Sequence, residues 1–119
     1  MLEMLQVHRS ALATASIVAD ELLYGAARLP RGARRRNLER YIEQAILPSM
    51  PVLPYDVAAA HWHARERARL EKVGRTVPHH HAQLAAVAVA NGLTLVTRNL
   101  RDFAAFEDLA CVSWHRAGR

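Results

Sequence analysis

Apolar and polar positions alternate along the chain in blocks that predict helices separated by short strands. Apolar runs of strand length occupy residues 11–15, 52–55, 93–97 and 111–114. Helical spacing of apolar residues predicts helices over residues 17–28, 33–47, 57–73 and 79–91. Leu2 and Leu5 share one face of a helical pattern, so residues 2–8 are expected to be the end of a helix. Helices of this length between strands favour an α/β fold, a doubly wound parallel sheet with helices on both faces.

The expected ends of these helices have a local chemical basis. Ser16 and Asp56 stand where helix N-caps belong, because their side-chain oxygens can accept a hydrogen bond from the first turn. Pro30 and Gly32 interrupt the first helix. Gly74 and Gly92 follow the last apolar positions of two later helices and are expected to close them in the left-handed conformation.

Length and composition indicate one ordinary globular domain, residues 1–119. Hydrophobic residues make up 51% and charged residues 23% of the chain. The formal charge is +5, and all basic residues but Lys72 are arginine. This charge favours an anionic partner such as nucleic acid or an acidic protein, but a general preference for arginine on the surface explains it equally well.

The sequence gives no sign of export or of a membrane. The chain has no apolar run of about 18 residues, the length that a membrane span needs. Residues 1–8 lack the basic and apolar regions of a secretory signal. Cys111 is the single cysteine, which excludes an internal disulfide. We therefore expect a cytoplasmic protein with no membrane association.

Polar groups follow the predicted strands at the edge where parallel sheets bind ligands. Glu21 lies early in the helix after the first apolar run, and the segment Thr97–Asp102 follows the run at 93–97. His79–His81 opens a helix whose positive end suits an anion. Carboxylates at one sheet edge are what Mg²⁺ or Mn²⁺ requires, although two acids alone are more often solvated surface residues.

Three segments carry a resemblance to the VapC and FitB-like PIN domains, the toxin ribonucleases of type II toxin–antitoxin systems. Ser16–Gly25 is similar to the family pattern S-x-x-x-x-E-L-x-Y-G, and Pro78–Ala86 to P-x-x-D-A-Q-I-A-A. Leu95–Phe103 matches L-V-T-R-N-x-x-D-F. The segments occur in family order, and the resemblance runs from about residue 2 to Trp114.

This resemblance implies a PIN fold and metal-dependent hydrolysis of RNA phosphodiesters. It makes Glu21 and Asp102 ligands of Mg²⁺ or Mn²⁺, with Thr97 and Asn99 orienting water or phosphate. Arg98 and Arg101 flank this site and are expected to contact RNA phosphates. The resemblance also implies a cognate VapB-like antitoxin, an RNA substrate and a homodimer.

The sequence departs from the family pattern at two aspartates. The family begins with an apolar strand ending in L-D-T-N or L-D-T-S, which does not occur here, so the first strand is expected to be missing. The aspartate of the D-A-Q-I-A-A pattern is His81. Imidazole binds Mn²⁺ or Zn²⁺ but is a poor Mg²⁺ ligand, and the exchange removes a negative charge. We expect metal affinity and activity to be impaired.

Several alternatives to an active ribonuclease remain open at this point. A downstream start codon explains the missing strand but not His81, whereas a decaying gene explains both. A catalytically inactive pseudo-toxin would still bind an antitoxin. An unrelated α/β protein that binds small anions is a third possibility. A zinc site in His79–His81 is disfavoured, because successive helical residues point about 100° apart.

Overall fold

The computed structural model describes residues 4–8, 11–97 and 99–113. Five strands and four α-helices follow one another along these residues. The strands are β1 (Met4–His8), β2 (Ala11–Ala15), β3 (Val52–Leu53), β4 (Thr94–Thr97) and β5 (Cys111–Ser113). The helices are α1 (Ser16–Ala27), α2 (Ala33–Tyr41), α3 (Val57–Lys72) and α4 (His79–Ala90).

The strands form one sheet in the order β3-β2-β1-β4-β5. β2 pairs with β3, and β4 with β5, in parallel. β1 lies in the centre and is antiparallel to both of its neighbours. The predicted α/β class is confirmed, with this one antiparallel strand in an otherwise parallel arrangement.

The prediction that residues 2–8 end a helix is wrong for residues 4–8. Leu5 lies opposite Ala13 of β2 and Leu95 of β4, and its side chain is fully buried. Both neighbouring strands need hydrogen-bond partners for their backbone groups, and β1 supplies them on both sides. The sheet therefore has a central strand, although the expected strand ending in aspartate is absent from the sequence.

Three of the predicted helix boundaries are confirmed, and one differs. The Asp56 side chain accepts a hydrogen bond from the Ala59 amide at 3.0 Å, so Asp56 is the N-cap of α3. Gly74 and Gly92 have φ of 75° and 65°, in the left-handed region. Ser16, expected to be an N-cap, is instead the first residue of α1 and follows Ala15, which makes no side-chain cap.

The predicted helix over residues 33–47 is regular only as far as Tyr41. It continues as a π-helical turn at Ile42–Ile46 and a 3₁₀ turn at Leu47–Ser49. Pro48 has no amide hydrogen, so a regular α-helix cannot continue through it. Ile42 is buried, but Leu38 and Tyr41 of the predicted apolar stripe are exposed.

The loop after the last 3₁₀ turn is fixed to α3 by a partly buried ion pair. Arg69 Nε and Nη2 donate to the two carboxylate oxygens of Glu66 at 2.6 and 2.9 Å. Arg69 Nη2 also donates to the Ala105 carbonyl at 2.9 Å, and the Glu107 amide donates to Glu66 Oε2 at 2.6 Å. Hydrogen bonds from Arg69 lower the pKa of Glu66, although burial acts against this. The ion pair holds residues 105–107 against α3, directly after Asp102.

Truncation of the central strand's core residue should destabilise the protein. Leu5→Ala removes a side chain that is 0% exposed between two strands. We expect the free energy of unfolding to fall by about 2–5 kcal/mol, measured by urea denaturation. Leu100→Ala, at a position that is 45% exposed, is the control and should change it by less than about 0.5 kcal/mol. Equal small effects of both substitutions would contradict the central placement of β1.

The ion pair of Glu66 predicts a loss of stability in acid. Because the folded pKa of Glu66 is lowered, its stabilisation is present above the usual carboxyl pKa and is lost as pH falls through the folded value. The melting temperature of Glu66→Gln should lie below that of the parent at about pH 7 and converge with it below about pH 4. Glu71→Gln, which breaks the exposed pair with Arg67, is the control and should show a smaller gap. A gap for Glu66→Gln that is independent of pH would argue against this role.

Candidate active site

The segment after β4 forms a hydrogen-bonded turn from three of the predicted site residues. Thr97 ends β4 and is buried, and its Oγ1 accepts a hydrogen bond from the Asn99 amide at 3.1 Å. Asn99 caps the 3₁₀ turn Leu100–Phe103 by accepting from the Arg101 amide at 3.2 Å. Asn99 Nδ2 donates to Asp102 Oδ1 at 3.1 Å. Thr97 and Asn99 thus position the Asp102 carboxylate.

His81 faces this turn from the first turn of α4. Its Nε2 lies 3.8 Å from Asp102 Oδ2, too far for a hydrogen bond but within the range of an ion pair. The imidazole packs against the Phe103 ring at 5.0 Å and the His80 ring at 4.2 Å between centroids. His81 therefore occupies, beside Asp102, the position where the family pattern has a carboxylate.

Burial lowers the pKa of His81, and neighbouring His80 acts in the same direction. The carboxylates of Asp102 and Glu21 act against this shift and favour the protonated ring. Burial is the largest influence, so His81 is mainly neutral at neutral pH. A neutral ring adds no negative charge to the site.

Glu21 reaches the same region from α1. β2 and β4 are each antiparallel to β1, so they run in the same direction and their carboxyl ends share one edge of the sheet. α1 begins at the end of β2, and Glu21 is exposed in its second turn. α1 packs against α4, and the Glu21 carboxylate acts electrostatically on the His81 ring. The structure thus brings Glu21, His81 and Asp102 into one neighbourhood.

These side chains do not form a site for a hard divalent cation. Among residues 4–8, 11–97 and 99–113, no three His, Cys, Asp or Glu side chains come together in a group that could hold a metal ion. One oxygen of Asp102 accepts from Asn99 and the other faces His81. Mg²⁺ prefers several oxygen ligands in octahedral geometry. The residues present therefore do not fit a resident Mg²⁺ ion.

The structure describes one of the two arginines that were predicted to bind phosphate. Arg98 lies outside the described residues. Arg101 is exposed beside Asp102 and makes no ion pair within the described part of the chain. Arg101 is therefore an exposed cation next to the Asp102 turn.

The sequence analysis missed the role of His63. Its imidazole is buried and is hydrogen-bonded through Nδ1 to the Tyr55 hydroxyl at 2.9 Å. The His79 ring packs against it at 5.5 Å. His63, Glu66 and Leu70 recur at intervals of three and four, the spacing of one helix face, and this signal could have shown that His63 points inward.

A search of the described residues finds no helix long and apolar enough to cross a membrane.

Comparison with known proteins gives a consistent family assignment. The family model of the PIN domain matches residues 2–109. A VapC ribonuclease from Sinorhizobium fredii is 33% identical over 92 residues, covering 76% of this chain and 66% of that protein. The tRNA(fMet)-specific endonuclease VapC of Salmonella typhimurium is 31% identical over 112 residues, or 94% of this chain and 82% of that one. The chain thus spans about two thirds of the first relative's length and more of the second's.

Solved structures share the fold. The crystal structure of DNA-bound VapBC from Salmonella typhimurium matches with a TM-score of 0.76 and 30% identity, covering 84% of this chain and 73% of that chain. FitAcB from Neisseria gonorrhoeae matches with a TM-score of 0.75 and 31% identity, covering 83% and 72%. The PIN-like fold predicted from the three sequence segments is confirmed. The chain belongs to the PIN domain family, and proteins named VapC and FitB are among the relatives that it matches.

Proposed function

We propose that this chain is a VapC-type toxin homologue, an RNA phosphodiester hydrolase by descent whose metal-dependent cleavage is strongly weakened. The observation that carries the proposal is the position of His81, 3.8 Å from Asp102, where the family pattern has a second carboxylate. The relatives named as ribonucleases support RNA as the substrate class. The protein acts in the cytoplasm with an antitoxin of the VapB type.

Each predicted site residue has a role in this proposal. Glu21 and Asp102 are the two remaining carboxylates, and in the family pattern they ligate Mg²⁺ or Mn²⁺. Thr97 and Asn99 fix the orientation of Asp102. Arg101 attracts an RNA phosphate, and the sequence gives Arg98 the same role. His81 stands where the family pattern has an aspartate ligand, but its neutral ring carries no negative charge.

The same proposal includes an antitoxin interface that does not depend on catalysis. α1 and α2 pack against each other and carry exposed Tyr24, Leu38 and Tyr41. Exposed arginines surround these apolar side chains, and Arg28 lies over the Tyr24 ring at 5.6 Å. Apolar side chains among cations suit a partner with an apolar and acidic surface. The complexes of VapBC and FitAB among the solved relatives support an antitoxin as that partner. Pairing of two copies of this chain also belongs to the proposal.

A substitution that places a carboxylate at position 81 should restore RNA cleavage. We expect His81→Asp to cleave a quenched fluorescent RNA at least about tenfold faster than the parent with Mn²⁺ or Mg²⁺, since even an outer-shell partner of a metal is worth 10–100-fold in affinity. His81→Asn, of the same shape without charge, is the matched control and should remain slow. The gain should disappear with EDTA and in a His81→Asp/Glu21→Gln double variant.

Cleavage by the parent as fast as that by His81→Asp, and lost on chelation, would contradict the proposed weakening. A folded His81→Asp that stays inactive would show that the loss of the family's first aspartate is sufficient to abolish cleavage.

Antitoxin binding should survive without catalysis. The chain, co-expressed with a VapB-type antitoxin, should retain that protein through purification in EDTA. Tyr41→Asp should weaken the complex at least about tenfold, since it puts a charge into the apolar surface. Val57→Asp, at another exposed apolar position, is the control and should leave the complex intact. Absence of any complex with the parent chain would refute this part of the proposal.

A further inference from the structure

A cavity of about 180 Å³ lies between α3 and the segment that leads into α4. Four apolar side chains line it, together with the imidazoles of His63 and His79 and several charged groups. The apolar residues are Leu70, Val77, Ala82 and Phe106. A cavity of mixed character and this size accepts a single planar ring.

The cavity adjoins the candidate active site. His79 lines the cavity, and His81, in the same first turn of α4, faces Asp102. On the opposite side, Phe106 lines the cavity and packs 6.3 Å from Phe103, whose ring contacts His81. The Phe103 and Phe106 rings therefore separate the cavity from His81.

His63 gives the cavity a fixed polar edge. Its ring is 8% exposed, and Tyr55 engages its Nδ1. Burial lowers the pKa of His63, and nearby His79 and Arg67 act in the same direction, so the ring is neutral at neutral pH. Nε2 makes no hydrogen bond to any described residue and is left for a ligand. An oriented nitrogen in an apolar cavity favours a ligand with a polar edge of its own.

The charges around the cavity leave one cation available. Glu66 is neutralised by Arg69, and Arg67 lies 3.3 Å from Glu71. Arg75 is exposed and has no ion pair within the described part of the chain. Arg75 is therefore a cation at the cavity with which an anion attached to the ring can pair.

We propose that this cavity binds an unpaired nucleobase of an RNA strand, with Arg75 facing that nucleotide's phosphate. The choice of RNA rests on the proposed function, since the cavity lies beside the site where the strand would be cleaved. Proteins that read single-stranded RNA hold splayed bases between rings and bond their edges, which His63, His79 and Phe106 can do together. An aromatic side chain of a protein partner would fill the apolar space but leave His63 Nε2 unpaired.

Nucleotide binding to the intact protein tests this inference without turnover. Nucleoside 5′-monophosphates are titrated in EDTA by calorimetry, with ribose 5-phosphate and inorganic phosphate as probes that lack the base. We expect at least one nucleotide to bind about tenfold or more tightly than ribose 5-phosphate. His63→Leu should remove most of this base-dependent difference.

Arg75→Glu should weaken nucleotide binding about tenfold and make it less sensitive to salt, because a phosphate contact is lost. Arg65→Glu makes the same charge change at an exposed position of α3 that does not line the cavity, and it should leave binding unchanged. Both positions are on the surface, so folding is preserved whatever becomes of His63→Leu.

Two results would overturn the inference. Equal affinity for nucleotides and ribose 5-phosphate would show that the protein attracts the phosphate alone and does not bind the base. No nucleotide binding, with antitoxin binding lost in Arg75→Glu but kept in Arg65→Glu, would assign the cavity to the protein partner. Because the titration requires neither metal nor cleavage, failure of the proposed function appears separately, in the cleavage and co-purification assays.

Discussion

The central position of the sheet is the constraint on which this fold depends. β2 and β4 run in the same direction, separated by the width of one strand, and each presents backbone donors and acceptors to the space between them. β1 fills that space and pairs with both. Because β1 keeps β2 and β4 in one sheet, their carboxyl ends meet at one edge, and α1 and the Thr97–Asp102 turn start there. Glu21, His81 and Asp102 are neighbours for this reason.

Much of this architecture could be predicted from local sequence patterns. Asp56 and Gly74 act at single positions on their own backbone, so their effect on α3 is visible in the sequence. β1 could not be predicted in this way. Leu2 and Leu5 are compatible with a short helix or a short strand, and the partner that decides between them, Leu95, lies about 90 residues further along the chain. The strands that need a hydrogen-bond partner at the centre of the sheet include residues far away in the sequence. A local pattern therefore does not show that residues 4–8 form a strand.

The candidate site, too, could be predicted only where it depends on the local sequence. The spacing of Thr97, Asn99 and Asp102 belongs to one turn, and the motif resemblance found all three. The substitution at His81 was also visible in the sequence, but the burial that keeps its ring neutral depends on packing against Phe103 and so required the structure. The sequence did not indicate the role of His63, because that role depends on Tyr55, on His79 and on the cavity, which the fold brings to its ring. The role of a polar residue on a buried helix face depends on the side chains that pack against it, and the local sequence does not show which side chains these are.

The antiparallel direction of β1 has a consequence for how the chain folds. β1 and β2 pair residues that are close in sequence, His8 with Ala11 among them, so this pairing loses little chain entropy. A central strand parallel to β2 would instead need a crossover of a dozen or more residues. The hairpin is therefore the local contact from which the sheet can grow, whereas β4 and β5 come from the far end of the chain and join it through long-range pairing. On this route the edge that carries the candidate site is assembled after the hairpin and α1 are in place.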